Sequence, residues 1–513
     1  SRSSAASDVY KRQRLDSADN IVVAREPVAA GTYIPDEDFT VQSDIPIGHK
    51  IASRTIRQNE PILKYNTVIG YATRDVEAGT HMHNETIYFD SVSKQYEFCR
   101  DYHPVNLLPP EQCRTFQGYV RPDGQVGTRN CIAVAVCSNC AATVARKIAN
   151  YFTPERLKDY PNVDAIVPLI TSSGCGLEKT GTPMSYLRRI LGGHIKNPNI
   201  AGAVVCALGC ESNNIDAFFE EAELTPGPLL GRLVIQEVGG SRKAMEQGIA
   251  MVEAMLPIAN QCQRQPVPIS HLKIGMECGG SDSFSGSSAN PALGKAMDLL
   301  IEQGGTAVLT EITELFGIEG AFVRRAKSPE VAQKLIDLMN WWLDYCKGRD
   351  AQINGKVTPG NNAGGLTNIL EKALGGAKKG GSTPLNGVFD YGEKITEQGF
   401  VIMNAPAYDP MAAAALFAGG CNLCVFTTGR GSCFGAQHFP TLKISSNTPL
   451  FQRQEDDMDM NAGVVIDGEK TLEEMGEDIF EAIIEVASGK PTKSELFGMG
   501  NDEFVVWWLG ITS

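Results

Sequence analysis

The hydrophobic pattern changes along this 513-residue chain. Residues 20–92 alternate short apolar runs with tight turns and show no long helical period, which predicts a small all-β region. From residue 116 onwards, apolar runs alternate with amphipathic helical stretches, which predicts mostly parallel sheets covered by helices. The predicted fold class is therefore α/β and multidomain, with a small all-β domain at the N-terminal end.

The chain is long enough for several domains, because a single core seldom grows beyond about 250–300 residues. A proline-containing stretch without a clear period follows the β region and predicts a linker, and Pro266 and Pro268 mark a later boundary. We expect the opening residues, which lack a hydrophobic core, to be a leader outside the fold. The predicted segments are a leader at 1–13, a β domain at 14–92, a linker at 93–115, a second α/β domain at 116–265 and a C-terminal α/β domain at 266–513.

Polar, glycine-rich loops follow most of the predicted α/β strands. Taken alone, such a loop is typical of a flexible connection. In open parallel sheets, however, ligands bind beyond the carboxyl ends of the strands, so we expect these loops to converge on one site. After one of them, Asn290 and Pro291 predict a helix start capped by Asn290. The loops are at 137–139, 172–176, 209–213, 277–282, 310–314, 427–431 and 445–447.

Composition narrows the classes of partner. The formal net charge of −14 argues against nucleic acid as the main partner and does not favour a membrane surface. No apolar stretch reaches the roughly 18 residues that predict a transmembrane helix. The 14 cysteines are scattered and lie mostly in apolar runs, which is not typical of a disulfide framework. We therefore expect a cytoplasmic protein. Its expected partners are a small-molecule substrate and further copies of the same chain in a homo-oligomer.

Three histidines in the β region are candidate metal ligands. His81 and His83 lie two positions apart in a predicted strand and so share a face, and His49 is a third candidate. A surface strand with solvated imidazoles explains the pair equally well. Cys175, Cys210 and Cys278 at strand ends are weaker candidates for holding iron, alone or as a cluster, and buried packing is the favoured explanation for them.

A CxxC motif offers a different chemistry. Cys137 and Cys140 follow a predicted strand and open a helix, which is the usual context of a redox pair. A redox function would leave the histidines and the acidic loops unexplained.

Charged residues in the strand-end loops suggest chemistry on an acid. Glu277, Asp282, Glu311 and Glu314 are candidates for proton transfer, and the first three are the expected bases. A base next to a substrate carboxylate can remove the neighbouring proton while a metal stabilises the enediolate charge. These groups fit an elimination from a hydroxy acid. The candidate cations for the substrate carboxylate are Arg129, Lys372, Arg430 and Lys443.

With these residues in view, the chain resembles the altronate/galactarate dehydratase family over nearly its whole length. The resemblance implies an N-terminal SAF (β-clip) domain and a catalytic C-terminal domain. It also implies a hydro-lyase dependent on Fe²⁺, or on Mn²⁺ or another divalent metal, that forms 2-keto-3-deoxy acids from sugar acids. Ser281, Asn361 and Thr428 lie in the shared motifs and are expected to contact the substrate. The motifs are at 118–130, 208–213, 276–294, 358–375, 426–431 and 443–448.

The substrate is less sharply indicated than the family. The segment His81-Met82-His83-Asn84 matches the altronate branch, whereas residues 160–164 and 460–463 are closer to the galactarate branch. Two site loops, at 171–173 and 431–433, depart from both. The related sulfolactate sulfo-lyases carry the β domain on a separate chain, so the fused arrangement favours a sugar acid. We expect D-altronate as substrate, with galactarate, sulfolactate and a non-catalytic sugar-acid-binding protein as alternatives.

Overall fold

The first region consists of short antiparallel strands, and the computed structural model describes residues 12–89, 95–348 and 357–509 of the chain. Its sheets have the strand orders β1-β2-β5-β8, β3-β4 and β6-β7-β9. The strands are β1 Arg12–Gln13, β2 Ile21–Ala24, β3 Tyr33–Ile34, β4 Phe39–Thr40, β5 Lys50–Ala52, β6 Pro61–Lys64, β7 Thr67–Ala72, β8 His81–Met82 and β9 Ile87–Tyr88. The predicted all-β region is confirmed.

The leader prediction needs a correction at its end. Arg12 and Gln13 form β1 and pair with Ala24 and Val23 of β2, so these two residues belong to the fold. Residues 1–11, the rest of the predicted leader, lie outside the described residues.

The second region combines an antiparallel sheet, β11-β10-β16, with a parallel sheet, β13-β12-β14-β15. Its elements are β10 Thr115–Val120, β11 Val126–Gly127, β12 Cys131–Val136, α1 Ala142–Ala149, α2 Pro154–Leu157, β13 Ile166–Leu169, α3 Thr182–Lys196, β14 Ile200–Ala207, α4 Ile215–Glu221, β15 Leu230–Val234, α5 Ser241–Ala259 and β16 Arg264–Pro268. β12 is buried along its whole length, as its unbroken apolar sequence requires.

The third region is built on a parallel sheet of seven strands, β19-β20-β18-β17-β21-β22-β23. Its elements are β17 Lys273–Cys278, α6 Ala289–Glu302, β18 Thr306–Leu309, α7 Glu319–Arg324, α8 Pro329–Cys346, α9 Pro359–Ala363, α10 Ile369–Ala377, β19 Leu385–Phe389, β20 Gly399–Met403, α11 Asp409–Ala418, β21 Leu423–Thr428, β22 Thr441–Ser445, α12 Thr448–Arg453, β23 Met460–Asn461, α13 Gly463–Asp467, α14 Leu472–Ala487 and α15 Lys493–Leu496. No helix in the described part of the chain is both long and apolar enough to cross a membrane.

Two separate parallel sheets change the expected site. The polar loops were predicted to meet at one sheet edge, but those after β12, β13 and β14 belong to the second region's sheet. The loops after β17, β18, β21 and β22 share the edge of the seven-stranded sheet. Apolar runs alone do not reveal which strands share a sheet, so one predicted crevice becomes two distinct edges.

The predicted helix cap at Asn290 is wrong. Helix α6 begins at Ala289, and Asn290 lies inside its first turn. The Asn290 side chain donates to the carbonyl of Gly375 over 3.0 Å and accepts from the Thr427 hydroxyl over 2.7 Å. Asn290 therefore connects α6 to α10 and β21 instead of capping its own helix.

A buried ion-pair triad joins the β region to the third region. Glu371 on α10 receives Lys50 Nζ at 2.9 Å on one oxygen and Lys64 Nζ at 2.8 Å on the other. All three side chains are almost completely buried. Burial raises the pKa of Glu371, but the two lysine charges together outweigh it and hold that pKa below its usual range. Burial also lowers the pKa of Lys50 to about 8.

Replacing Glu371 with glutamine tests the triad. The amide leaves the charges of Lys50 and Lys64 buried without a counter-charge, so we expect the free energy of unfolding to fall by about 3–5 kcal/mol. The measurement is urea denaturation near neutral pH. Glu481→Gln, which removes the exposed pair with Arg114, is the control and should cost at most about 1 kcal/mol. Equal effects of the two substitutions would contradict a central role for the triad.

Candidate active site

Two buried glutamates end the central strands of the seven-stranded sheet. Glu277 is the penultimate residue of β17 and is fully buried. Its Oε1 accepts from the Thr310 hydroxyl over 3.4 Å, and its Oε2 has no hydrogen-bond partner in the described part of the chain. Glu311, two residues after β18, has the left-handed φ of 63°, which is uncommon outside glycine. Such backbone strain is concentrated at functional sites.

More charged groups surround this pair. Ligand atoms of Glu277, Glu311 and Asp409 lie within 4.8 Å of one another. Glu314 accepts from Lys372 Nζ over 2.5 Å, and Lys379 Nζ lies 3.7 Å from Glu311 Oε2. The cluster thus holds four carboxyl groups against two lysines, which leaves two negative charges if every group is ionised. A buried site cannot carry that excess, so it must bind protons or a cation.

The pKa values show how the excess is relieved when no cation is bound. Burial, reinforced by the charge of Glu314, raises the pKa of Glu311 to about 8, while Lys379 opposes the shift. Burial and the charge of Glu311 raise the pKa of Glu277 well above its usual range. Both groups therefore hold protons near neutral pH in the metal-free protein. A carboxyl group whose pKa lies close to the working pH is suited to proton transfer.

The acids are also one possible metal site. One set of candidate ligands is Glu277, Glu311 and Asp409, and a second is Cys278, Glu311 and Glu314. The unpaired Oε2 of Glu277 and the excess negative charge fit a hard divalent cation, which prefers oxygen ligands.

The three histidines form a second possible metal site. His49 Nδ1 lies 2.8 Å from His81 Nε2, and the ring centres of His81 and His83 are 5.0 Å apart. Burial, together with the charges of the other two histidines, lowers the pKa of His81 to about 4. Burial also lowers the pKa of His49. Neutral imidazoles are the form that binds divalent transition metals. The ring nitrogens of the three histidines do not all lie within 4.8 Å of one another, so these side chains would have to draw closer together to share one ion.

The histidines border the third region. His49 Nε2 lies 3.2 Å from the carbonyl oxygen of Ala363, at the end of α9. The neighbouring Gly364 carbonyl accepts from the backbone N–H of Ser283 over 2.9 Å. The β region therefore folds back within the same chain onto the loop that follows β17.

Asp282, a predicted base, links two loops through hydrogen bonds in this structure. Its Oδ1 accepts from the backbone N–H and the hydroxyl of Ser285 and from the hydroxyl of Ser446, each over 2.8 Å. Its Oδ2 accepts from Asn447 Nδ2 over 2.9 Å. These bonds connect the loops after β17 and β22. Because both oxygens are engaged, Asp282 is poorly placed to accept a substrate proton.

Arg129 lies apart from the strand-end loops. Its guanidinium forms two bonds to Glu495, of 2.6 and 2.9 Å. It also donates to the carbonyls of Thr128, Val486 and Lys490. All five of its N–H donors are used in holding the C-terminal helices. The structure thus gives Arg129 a structural role in place of the predicted substrate contact.

The other predicted cations, Lys372, Arg430 and Lys443, belong to the third region, and their contacts lie at or near the loops of the seven-stranded sheet. Lys372 belongs to the acidic cluster through Glu314, as described above. The Lys443 ammonium donates to the carbonyl of Ser432 over 3.1 Å, in the loop after β21. Arg430, at the start of that loop, is exposed, and its backbone N–H donates to the carbonyl of Gly280 over 2.9 Å. Arg430 is therefore an exposed residue beside the loop that follows β17, the strand that carries Glu277.

The predicted substrate contacts fall into two groups. The Ser281 hydroxyl is buried and has no partner in the described part of the chain, so it remains available to a ligand. The Thr428 hydroxyl accepts from the backbone N–H of Gly431 over 2.9 Å and shapes that loop. Asn361 lies in the first turn of α9, where it completes a capping box with Thr358, and it donates to the Ser281 carbonyl over 2.8 Å, so it positions the loop.

The three cysteines that were weaker candidates for metal ligands lie at the edges of two different parallel sheets. Cys278 is buried beside the acids, with its Sγ 3.7 Å from Glu314 Oε2, and burial raises its pKa to about 12. Cys175 and Cys210 are exposed and lie at the edge of the second region's sheet. No metal site containing all three is formed.

Sequence reasoning missed several members of the site. Asp409, Lys379 and Glu371 were not predicted. Asp409 follows the predicted strand β20, so the strand-end rule applied to every strand would have found it. Lys379 and Glu371 lie on helical segments, and their burial becomes visible only in the folded chain.

Glu311→Gln tests the raised pKa in metal-free buffer containing a chelator. The folded protein keeps the Glu311 proton up to about pH 8, whereas an unfolded glutamate releases it near pH 4.5. The folded state thus binds more protons in this window, so stability falls as pH rises, by up to about 1.4 kcal/mol per pH unit. Glutamine mimics the protonated acid, so the variant should gain stability over the wild type between about pH 5 and pH 8.

The measurement is urea denaturation at several pH values. Glu397→Gln, which changes the exposed partner of Lys327, is the matched control and should show a pH-independent difference from the wild type. A difference for Glu311→Gln that does not change with pH would contradict the raised pKa.

Three family models match consecutive parts of the chain. The altronate/galactarate dehydratase SAF domain matches residues 11–90. The second domain of D-galactarate dehydratase/altronate hydrolase matches residues 118–260, and the C-terminal domain of D-galactarate/altronate dehydratase matches residues 269–512.

Full-length relatives agree with these matches. The chain is 34% identical to the altronate dehydratase of Bacillus subtilis (strain 168), over 97% of this chain and 99% of the relative. It is 32% identical to the altronate dehydratase of Escherichia coli (strain K12), again over 97% and 99%. To the galactarate dehydratase (L-threo-forming) of the same strain it is 34% identical, over 95% of each chain. The resemblance seen in the motifs is confirmed, and the chain belongs to the altronate/galactarate dehydratase family of sugar-acid hydro-lyases.

Proposed function

We propose that this protein dehydrates a six-carbon sugar acid, D-altronate in preference to galactarate, to a 2-keto-3-deoxy acid. The observation that carries the proposal is the buried pair of Glu277 and Glu311 at adjacent strand ends. Dehydration of a hydroxy acid requires a base for the proton next to the carboxylate and an acid for the leaving hydroxyl. Two coupled carboxyl groups that share protons near neutral pH supply both functions.

Glu277 and Glu311 perform the proton transfers in this proposal. Glu311, with a pKa of about 8, is partly ionised near neutral pH, and its ionised form accepts the proton next to the substrate carboxylate. Glu277 remains protonated and donates to the leaving hydroxyl. Lys379 beside Glu311 stabilises the ionised form that accepts the proton. Asp282 takes no proton and holds the neighbouring loops in register.

The substrate carboxylate binds at the outer side of the same loops. Arg430 is exposed there and presents a guanidinium fork, which matches a carboxylate with two parallel hydrogen bonds. Lys443 supports this position from the next strand, and the free Ser281 hydroxyl binds a substrate hydroxyl.

Substrate entry requires the loops to separate. The cavity lined by Ser281, Asp282, Lys64 and Lys372 measures only about 10 Å³, which is close to the limit for one water molecule. A sugar acid does not fit into that space. Binding of a sugar acid at this cavity would therefore require the β region, the loop after β17, or both to move.

In this proposal, His49, His81 and His83 would hold a divalent metal, Fe²⁺, which would supply positive charge next to the enediolate that proton removal forms. The low pKa of His81 keeps its imidazole neutral over the physiological pH range, so the ligand is ready to bind. The competing arrangement, with the metal on Glu277, Glu311 and Asp409, is tested below.

D-altronate is favoured by the segment His81-Met82-His83-Asn84, which matches the altronate branch. Overall identity does not decide between the substrates, because the altronate and galactarate dehydratases are equally similar to the chain. All the cysteines are free thiols, which supports a reducing cytoplasmic location. The expected homo-oligomer remains a prediction.

Metal dependence is tested by chelation and by one histidine substitution. We expect chelation to abolish 2-keto-acid formation from D-altronate and added Fe²⁺ to restore it. His81→Gln should raise the Fe²⁺ concentration needed for half-maximal activity at least about 10-fold, because one ligand is lost. The control is His271→Gln, which changes an exposed histidine near the start of β17. Full activity after complete metal removal would disprove the metal role, and an unchanged Fe²⁺ requirement in His81→Gln would favour the acidic ligands.

The proton-transfer pair is tested by Glu277→Gln and Glu311→Gln, each assayed on a panel of aldonates and aldarates. We expect kcat to fall at least about 100-fold in each, because the amide cannot exchange the proton, with a smaller change in substrate affinity. Glu397→Gln, on the exposed surface, should keep wild-type kcat. Saturable D-altronate binding by the wild type without 2-keto-acid release, whatever metal is added, would instead indicate a non-catalytic binding protein.

A further inference from the structure

The second region carries a group of thiols that the proposed chemistry does not use. Cys140, Cys175 and Cys210 lie on the loops that follow β12, β13 and β14, three adjacent strands of the parallel sheet. All three are exposed, and in the described part of the chain only Cys433 is also an exposed cysteine. Three of four exposed thiols therefore lie at one sheet edge, where the carboxyl ends of parallel strands meet.

Backbone hydrogen bonds hold the three loops together. The N–H of Asn139 donates to the carbonyl of Ser173 over 3.1 Å, which joins the loops after β12 and β13. The N–H of Asn213 donates to the carbonyl of Gly174 over 2.8 Å, and its side chain donates to the carbonyl of Cys137 over 2.9 Å. The loop after β14 is thus tied to both of the others. These bonds fix the backbone on which the three thiols are carried.

Two glycines next to the thiols allow this close packing. Gly174, which precedes Cys175, has a φ of 100°, and a Cβ there would lie 2.2 Å from the carbonyl oxygen of Cys137. Gly209, which precedes Cys210, has a φ of 127°, and a Cβ there would lie 2.6 Å from the side-chain oxygen of Gln236. A side chain at position 174 would force the loops after β12 and β13 apart, whereas at position 209 the positive φ is what disfavours a side chain. The sequence thus has glycine, the residue that a positive φ favours, directly before Cys175 and directly before Cys210.

A carboxylate further orders the third loop. Glu211 accepts from the N–H groups of Leu208 and Gly209 over 2.8 and 2.6 Å, and from the hydroxyl of Ser138 over 3.3 Å. The Glu211 carboxylate therefore binds donors of its own loop and of the loop after β12. Cys210 therefore lies on a turn whose backbone donors are already satisfied. Its exposed sulfur accepts from the Gln236 side-chain amide over 3.6 Å, a weak contact that a metal ligand bond would replace.

The first cysteine of the CxxC motif does not belong to this group. Cys137 is buried, and burial raises the pKa of its thiol above the usual range. A buried neutral thiol is a poor nucleophile, so a redox pair with Cys140 is disfavoured. Cys140 is instead available to combine with Cys175 and Cys210 across the loops.

We propose that Cys140, Cys175 and Cys210 bind an iron–sulfur cluster through three thiolates. Thiolates are the ligands that select iron–sulfur clusters, zinc and copper(I). A single tetrahedral zinc ion would bring its sulfur ligands to about 3.8 Å from one another, given Zn–S bonds of about 2.3 Å. The three sulfur atoms are not all within 4.8 Å of one another. At least one pair is therefore too far apart to share a single zinc ion, whereas a four-iron core spans a greater distance and would leave one iron without a cysteine ligand.

This centre is separate from the proposed dehydration site, which lies at the edge of the other parallel sheet. The proposal therefore stands or falls independently of the roles given to Glu277, Glu311 and the histidines.

The test uses the full-length protein, reconstituted anaerobically with ferrous iron and sulfide and then desalted. We expect about four iron and four acid-labile sulfide atoms per chain, a broad visible absorption, and an EPR signal after reduction. Cys175→Ser and the triple variant with serine at 140, 175 and 210 should lose both iron and sulfide. Cys113→Ser, which changes a partly exposed thiol on the linker, is the matched control and should retain the wild-type amounts.

A second measurement needs only the wild type, so it remains informative if a cysteine variant fails to fold. In the reconstituted wild type, the cluster should protect Cys140, Cys175 and Cys210 from iodoacetamide, and removal of the iron should expose them, as read by mass spectrometry. Cys433 should react equally in both states. The proposal is overturned if reconstituted wild type binds no more sulfide than the triple variant, if zinc alone occupies the thiols, or if a disulfide forms between two of them.

Discussion

The buried triad of Lys50, Glu371 and Lys64 is the interaction on which the arrangement of the site depends. Two cations from the β region meet one carboxylate of α10, out of contact with water. None of the three charges is tolerable alone at that depth, because desolvating an unpaired ion costs several kcal/mol. The β region is thereby held against the third region in one orientation. His49 consequently contacts α9, and the histidines lie beside the loop that follows β17.

A second constraint is the excess of negative charge beneath the strand ends. Among the described residues, the carboxylates of Glu277, Glu311, Glu314 and Asp409 are opposed by the ammonium groups of Lys372 and Lys379. In the metal-free protein this excess is relieved by protons, which raises the pKa of Glu311 into the range useful for proton transfer. The same feature that destabilises the folded state at higher pH thus prepares the chemistry, a common relation at active sites. The left-handed backbone of Glu311 is a further local cost at the same place.

The two parallel sheets separate two kinds of ligand chemistry. Carboxylates and lysines collect at the edge of the seven-stranded sheet, whereas exposed thiols collect at the edge of the four-stranded sheet. Both edges use the same principle, since parallel strands present their carboxyl ends and following loops on one side. The groups that the loops carry therefore decide what each edge can bind, and the fold alone does not.

The sequence by itself determined the fold class, most of the strands and the family. Apolar runs such as Cys131–Val136 predict a strand that is buried on both faces. Motifs such as ECGGSD, at residues 277–282, are specific to the family. Local patterns also identified Glu277, Glu311 and the histidines as candidates. They failed for Asn290, which was predicted to cap a helix. Its side chain instead forms hydrogen bonds with Gly375 of α10 and Thr427 of β21.

Only the tertiary structure decided which candidates meet. It assigned Arg129 to Glu495, made Asp282 a link between two loops, and placed Cys278 apart from Cys175 and Cys210. It also revealed the triad, whose glutamate lies more than 300 residues along the chain from each of its two lysines. A lysine or glutamate that will be buried looks the same in sequence as one that will be solvated. The difference arises from charges brought together by chain folding, and periodicity and composition carry no record of it.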